Sequence, residues 1–217
     1  SLFTGGSAVH VASERGVEEG KTLAAQALEA PAADIEYRAG RFKVSGTDLG
    51  IDLFELARRQ PGGHIVAEGD AKAGNASWPN GCHVCEVEVD PATGEVELVS
   101  YASVNDIGRV VSPVIVRGQI EGGAVQGVGQ ALCERMVYDE SGQLLSASYM
   151  DYAMPRADGF RGYVTRFDES VPCTTNSLGA KGVGELGTIG ATPAVVNAVI
   201  DALDNAGLGR AAEKIQM

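Results

Sequence analysis

The sequence predicts an α+β fold, in which helices and hairpins follow one another without the regular strand–helix alternation of a doubly wound sheet. Three observations predict it. Residues 82–104 alternate apolar and polar on both sides of the turn DPATG, which reads as a hairpin. Residues 10–29 and the stretch AVVNAVIDALDNA carry helical composition and spacing. The 29 glycines of the 217 residues cluster, with several falling inside an otherwise helical segment and several just before the last one.

Taken in order, GGSAV at residues 5–9 reads as a Gly-Gly-Ser turn before a helix, whose N–H groups and Ser7 hydroxyl would serve either as an N-cap or as an anion cradle. Val17, Leu23, Ala24 and Leu28 give the helix over 10–29 an apolar side. Ile35 and Tyr37, then Phe42 and Val44, alternate about Ala39-Gly40 and predict a short hairpin. GIDLFELARRQPGG predicts a short helix stopped by Pro61 and two glycines, with a connecting segment over 62–80. In the second hairpin His83, Cys85, Val87 and Val89 are expected on one face, with Val96, Leu98 and Val104 on the partner's inner face and Glu86, Glu88, Glu95 and Glu97 toward water.

Ser112 and Pro113 are good first residues for a helix. Five glycines follow within it, Gly118, Gly122, Gly123, Gly127 and Gly129. Each costs about 1 kcal/mol against alanine in a helix interior, so something must compensate. Two pairs are four apart and offer bare backbone to another element or a ligand. Gln119, Gln126 and Gln130 fall within about 40° of one another and form an amide-lined face. SGQ at 141–143 reads as a turn, YMDYAMPRADGF as irregular, and the last helix is placed from Thr192-Pro193 onward.

Composition narrows the chemistry. A net charge of −12 and the lack of a basic run predict no nucleic-acid partner. No apolar run is read as a membrane span and no signal peptide precedes SLFTGG. The abrupt opening predicts a fragment, a processed product or one subunit of a split protein. Four scattered cysteines do not form a disulfide framework and point to a reducing compartment, and a cytoplasmic location is the default expectation. Cys82 and Cys85 of CHVC lie three apart on a strand, on opposite faces, so no metal site is expected there.

Residues 182–187, GVGELG, fit the spacing of a dinucleotide loop through Gly182, Gly184 and Gly187. A phosphate cradle should not carry a carboxylate, and the preceding VPCTTNSLGAK is polar where a buried strand is needed. Two readings of Glu185 stand level on spacing alone: a turn that packs closely on another backbone, or a general base held by bare main chain.

Four ordered stretches resolve the balance. NGCHVCEVEVDPATGEVELVSYASVNDIGRVVSP, GQIEGGAVQGVGQAL, YMDYAMPRAD and GAKGVGELGTIGATPAVVNAVIDAL cover most of residues 80–203. Together they resemble the C-terminal part of the molybdopterin-binding large subunit of the molybdenum hydroxylases, the xanthine oxidase and aldehyde oxidase family, and look nearest to its aerobic carbon monoxide dehydrogenase-type branch. The resemblance implies one molybdopterin-binding region over 1–217, divisible into lobes 1–75 and 76–217. It implies that Glu185 is the base taking the proton from the hydroxide ligand of molybdenum. It also implies that Gln126 and Gly127 touch the pterin, that Gly5, Gly6, Ser7 and Ala8 bind its phosphate-bearing portion, and that Lys181, Gly182 and Gly184 line the same site. The metal would be held by the cofactor's dithiolene and by no protein side chain, the cofactor being molybdopterin itself or its cytosine dinucleotide.

The implied reaction inserts water-derived oxygen at an electrophilic carbon of an aldehyde, an N-heterocycle or carbon monoxide. Electrons would leave through iron–sulfur and FAD centres on partner subunits or domains. The family's upstream half, with its other cofactor-binding glycines, its substrate-side loop and the cysteine that places copper in carbon monoxide dehydrogenase, is a further expected partner absent from these residues. Two other readings remain at this level: a non-catalytic interaction or scaffold module that keeps the fold, and a dinucleotide-binding domain.

Overall fold

The computed structural model describes residues 2–72, 76–160 and 162–209. The chain divides into two compact units, Ser1–Asn75 with Thr175–Leu178, and Ala76–Thr174 with Gly179–Met217.

In the first unit, a π-helical run Leu2–Gly6 leads without a break into α1, Ser7–Ala27. Gly6 is itself helical (φ −65°, ψ −40°) and α1 has no side-chain cap. The expected Gly-Gly-Ser turn is therefore wound into the helix, and the helix begins earlier than residue 10. A three-stranded antiparallel sheet follows, β1 (Ile35–Arg38), β2 (Arg41–Val44) and β3 (Gly50–Asp52), in that order. Ala39 and Gly40 both take positive φ, 49° and 80°, as a two-residue hairpin turn demands. Residues 50–52, expected as helix, are strand; Asp52 then caps the short α2 (Leu53–Arg58) by accepting from Phe54 N at 2.9 Å. The core is Ala24, Ala25, Ile35, Phe42, Ile51 and Leu56. Phe42 lies on the bare backbone of Gly20, where a Cβ would stand 2.3 Å from its ring.

The second unit is built on β4 (Asn80–Val89), β5 (Val96–Asp106) and β6 (Tyr163–Asp168), with β4 and β5 antiparallel and β5 and β6 parallel. Two helices, α3 (Pro113–Leu132) and α4 (Leu186–Asn205), supply the other layer. The turn DPATG closes through Asp90, which takes Ala92 N at 2.8 Å. The register shifts between Glu86 and Val87, leaving an extra residue on β5. That bulge reverses the phase of the rest of the strand. Tyr101, Ser103 and Asn105 point inward, and Val104, expected inside, is 51% exposed. The parallel strand β6 was not foreseen, although YVTRFD alternates; α3 is the crossover that carries the chain from β5 to it. Leu98, Tyr101, Ala124, Val128, Ala191 and Val195 form the core between sheet and helices.

The last helix starts six residues before Thr192 and runs through Pro193. By length and composition α4 is also apolar enough to cross a membrane, which the sequence reading did not anticipate. In this fold its Gly187, Ala191 and Val195 are buried.

Candidate cofactor and base site

The site is assembled where the end of β5 meets the loop before α4. Gly179 O accepts from Arg109 N at 2.8 Å and from Cys173 N at 2.9 Å, and Lys181 N donates to Ile107 O at 2.7 Å. Gly108 and Ala180 form an isolated bridge. Lys181 Nζ lies 2.6 Å from Asp106 Oδ2, and Gly108 N donates to the other carboxylate oxygen at 3.0 Å. The Lys181 hydrogen bond and then the Gly108 amide hold the Asp106 carboxyl below the usual carboxylate range.

Beyond Lys181 the chain passes Gly182, Val183 and Gly184, and Glu185 occupies the N-cap position of α4. Its side chain is exposed and makes no cap hydrogen bond. The free N–H groups of the first turn favour negative charge at this end of the helix. So α4 does open directly from the glycine run, contrary to expectation. The strand a dinucleotide loop requires is still missing, since residues 169–185 separate β6 from α4.

Along α4, Thr188 Oγ1 donates to Gly123 O at 2.9 Å and stands 3.1 Å from the side-chain amide of Gln126. One turn on, Thr192 Oγ1 pairs in the same way with Gly127 O at 3.1 Å and Gln130 Oε1 at 3.2 Å. Gln119 Nε2 stands 3.6 Å from where a Cβ on Gly184 would be. The amide-lined face is thus largely a seam with α4. Thr188 and Thr192, overlooked in the sequence, are spaced by four like the two glutamines they serve. Glu185 precedes Thr188 by three residues, about 4.5 Å of helix rise, so Gln126 and Glu185 belong to one locality.

Two of the expected site residues are engaged within the fold. Lys181 has a side chain only 9% exposed and its ammonium is committed to Asp106, so it does not present its charge to a ligand. Gly127 is buried under α4, where a Cβ would stand 2.8 Å from Ala191 Cβ. Glu185, Gln126, Gly182 and Gly184 remain accessible or half-buried in the second unit. Gly5, Gly6, Ser7 and Ala8 belong to the first. Ser7 Oγ is buried there without a hydrogen-bond partner.

The surroundings fit a bulky bound group. Methyl groups added at Gly118, Gly122 and Gly182 would meet no protein atom within 4 Å. These glycines are not demanded by internal packing and leave bare main chain for something else. Gly122, Val125 and Gln126 also line a cavity of about 310 Å³ with Tyr152 and Pro155. Tyr152 is fixed there by donating to Glu134 Oε2 at 2.6 Å. Cys85 faces the core, and burial pushes its thiol up to about 11, while Cys82 is exposed on the opposite face. Among the described residues no three His, Cys, Asp or Glu side chains converge on a metal position.

A molybdopterin cofactor-binding domain matches residues 1–160. The chain belongs to the molybdenum hydroxylases. Among its relatives, the 6-hydroxypseudooxynicotine dehydrogenase complex subunit gamma of Paenarthrobacter nicotinovorans is 37% identical over 94% of the chain and 27% of its own length. The carbon monoxide dehydrogenase large chain of Hydrogenophaga pseudoflava is 32% identical over 94% of the chain and 26% of its own length. Among solved structures, a Cu,Mo-CO dehydrogenase superposes with a TM-score of 0.83 at 29% identity, over 96% of this chain and 29% of that one. Quinoline 2-oxidoreductase from Pseudomonas putida 86 superposes with 0.77 at 31% identity, over 93% and 28%. The α+β fold is therefore that of the molybdopterin-binding domain of molybdenum hydroxylases. The chain spans about a quarter of the length of the curated relatives it matches.

Proposed function

We propose that this chain forms part of a molybdenum hydroxylase that inserts oxygen from water at an electrophilic carbon, of an aldehyde, an N-heterocycle or carbon monoxide, with Glu185 as the base. The observation that carries the proposal is an exposed carboxylate at the N-cap of α4, directly after Gly182–Gly184 and three residues before Thr188, which pairs with Gln126. Molybdopterin, when bound, supplies the two-electron redox chemistry, and its electrons leave to iron–sulfur and flavin centres on partner subunits or domains.

This chain's residues do the rest. Glycines 118, 122 and 182 admit the cofactor to the main chain, and Gln126 offers it an amide. In the first unit, taken by itself, Gly5, Gly6, Ser7 and Ala8 are the proposed contacts to a phosphate group, and the buried Ser7 hydroxyl without a hydrogen-bond partner favours this. Glu185 takes a proton onto a carboxylate oxygen as the oxygen–carbon bond forms, the work of a general base. The remaining length typical of the relatives would complete the pocket and choose the substrate, in a cytoplasmic enzyme.

The test is Glu185→Gln in the assembled enzyme. Turnover should fall by about 10²–10⁴-fold while molybdenum per enzyme, measured by elemental analysis, stays at the wild-type level. Normal turnover by the Gln variant sinks the base role.

A further inference from the structure

We infer that Asp106 and Lys181 are a positioning pair that sets where Glu185 stands. The inference rests on the reading of Glu185 as the base. Lys181 lies four residues before Glu185, and its amine, buried with the rest of its side chain, is bound to the last residue of β5 at 2.6 Å. The carboxylate is itself held, since its second oxygen takes Gly108 N. Backbone bonds of Gly179 and Lys181 stitch the loop to residues 107–109 and to Cys173. All of these ties end at Lys181. The next three residues are Gly182, Val183 and Gly184, and a Cβ on Gly182 would touch nothing.

Glu185 is thus suspended between two anchors. One is the ion pair. The other is the first turn of α4, where Gly187 is wedged onto α3 with the site of its missing Cβ 2.3 Å from Ile120 O. Two glycines in the suspended span add freedom at the one place where a base must not wander. A partly buried ion pair is a modest source of stability, because desolvation offsets part of its attraction. It is a good source of geometry, because both partners are lost if either moves. Its location at the base of this span, with the ammonium committed to Asp106, matches a positioning role.

The experiment uses the assembled enzyme with Asp106→Asn, Lys181→Met and the double variant, with Glu185→Gln alongside. Three quantities are read: kcat and KM, molybdenum content, and amide hydrogen exchange of the peptide spanning 179–190. Each single variant is expected to lose kcat by about ten- to a hundredfold, the scale of a roughly 1 Å misplacement. KM and molybdenum content should stay near wild type, and the double variant should be no worse than the worse single. Exchange should quicken in 182–186 and stay unchanged in β1 and β2. Should Lys181→Met fail to assemble, Asp106→Asn, which has the same shape and still accepts a hydrogen bond, carries the test.

Wild-type kcat in the singles overturns the inference, as does molybdenum lost in proportion to kcat or exchange quickened throughout. If Glu185→Gln is fully active, the base reading fails by itself, and the exchange data still report whether the pair holds the loop. If Glu185→Gln is inactive and Asp106→Asn is wild type in all three readouts, only the positioning inference fails.

Discussion

Two glycine pairs on α3 share one spacing and meet opposite surroundings. Gly123 and Gly127 lie under α4, where methyl groups would stand 3.1 Å from Thr188 N and 2.8 Å from Ala191 Cβ. Methyl groups at Gly118 and Gly122 would meet no other part of the described protein within 4 Å. The first pair lets two helix backbones close on each other, and the pay-off is visible as hydrogen bonds from Thr188 and Thr192 to α3 carbonyls. The second pair has no such return within this chain. The contrast teaches that an i,i+4 glycine pair announces close approach without saying to what, and that the pair left bare is the one to assign to a ligand.

The largest expected effect comes from the packed side. Gly187→Ala puts a methyl 2.3 Å from Ile120 O and 2.6 Å from Ala124 N, both backbone atoms that cannot step aside. We expect a loss of about 3 kcal/mol or more, read as a fall in the urea midpoint. Gly127→Ala should cost about 1–3 kcal/mol, since its nearest neighbour is the Ala191 methyl. A wild-type midpoint for either variant would break the comparison.

The seat of α4 supplies a smaller, pH-dependent effect. Gly190 rests on the His83 ring, whose Nδ1 pairs with Tyr101 OH at 2.5 Å. Burial lowers the pKa of His83, with the nearby Asn105 side chain acting the other way. The unfolded chain therefore binds this proton more readily than the folded one. Stability is expected to drop as pH falls below about 6.5, the ordinary histidine value. Asp106, held low by Lys181, adds a second loss only when pH falls below about 3.9. Urea midpoints at pH 7.5 and pH 5.5 should converge in His83→Gln; an unchanged difference would remove His83 from the explanation.

The bare side should respond least and with opposite sign. Gly118→Ala and Gly122→Ala should stabilise by roughly 0.5–1 kcal/mol through helix propensity. Gly122→Ala should nonetheless lower molybdenum content in the assembled enzyme, because the methyl stands on the cavity shared with Gln126. Full cofactor loading in that variant would leave the bare pair without the role proposed for it.

Much of this was legible beforehand where the signal is local. The Ala39-Gly40 turn, the DPATG hairpin and the Ser112-Pro113 start lie in a few consecutive residues, and the structure has each of them. The errors fall where a distant partner decides. Val104 changed sides because of one extra residue on β5 opposite Glu86 and Val87. The start of α4 was misplaced because its first turns are glycine-rich, and their helicity is stabilised by α3 more than by propensity. Lys181 was expected to line the site because it flanks Glu185, and that Asp106, 75 positions away, holds its ammonium is something the linear sequence does not show.

The residues alone determined the α+β class, the hairpins, the glycine-bearing helix and the loop that carries Glu185, because turn chemistry and short-range periodicity are written in neighbouring side chains. Only the tertiary structure decided which glycines pack and which stay bare, that Lys181 answers Asp106, and that Gln126 and Glu185 share one locality. Those outcomes depend on distances between segments far apart in the chain, and a linear pattern carries no distance.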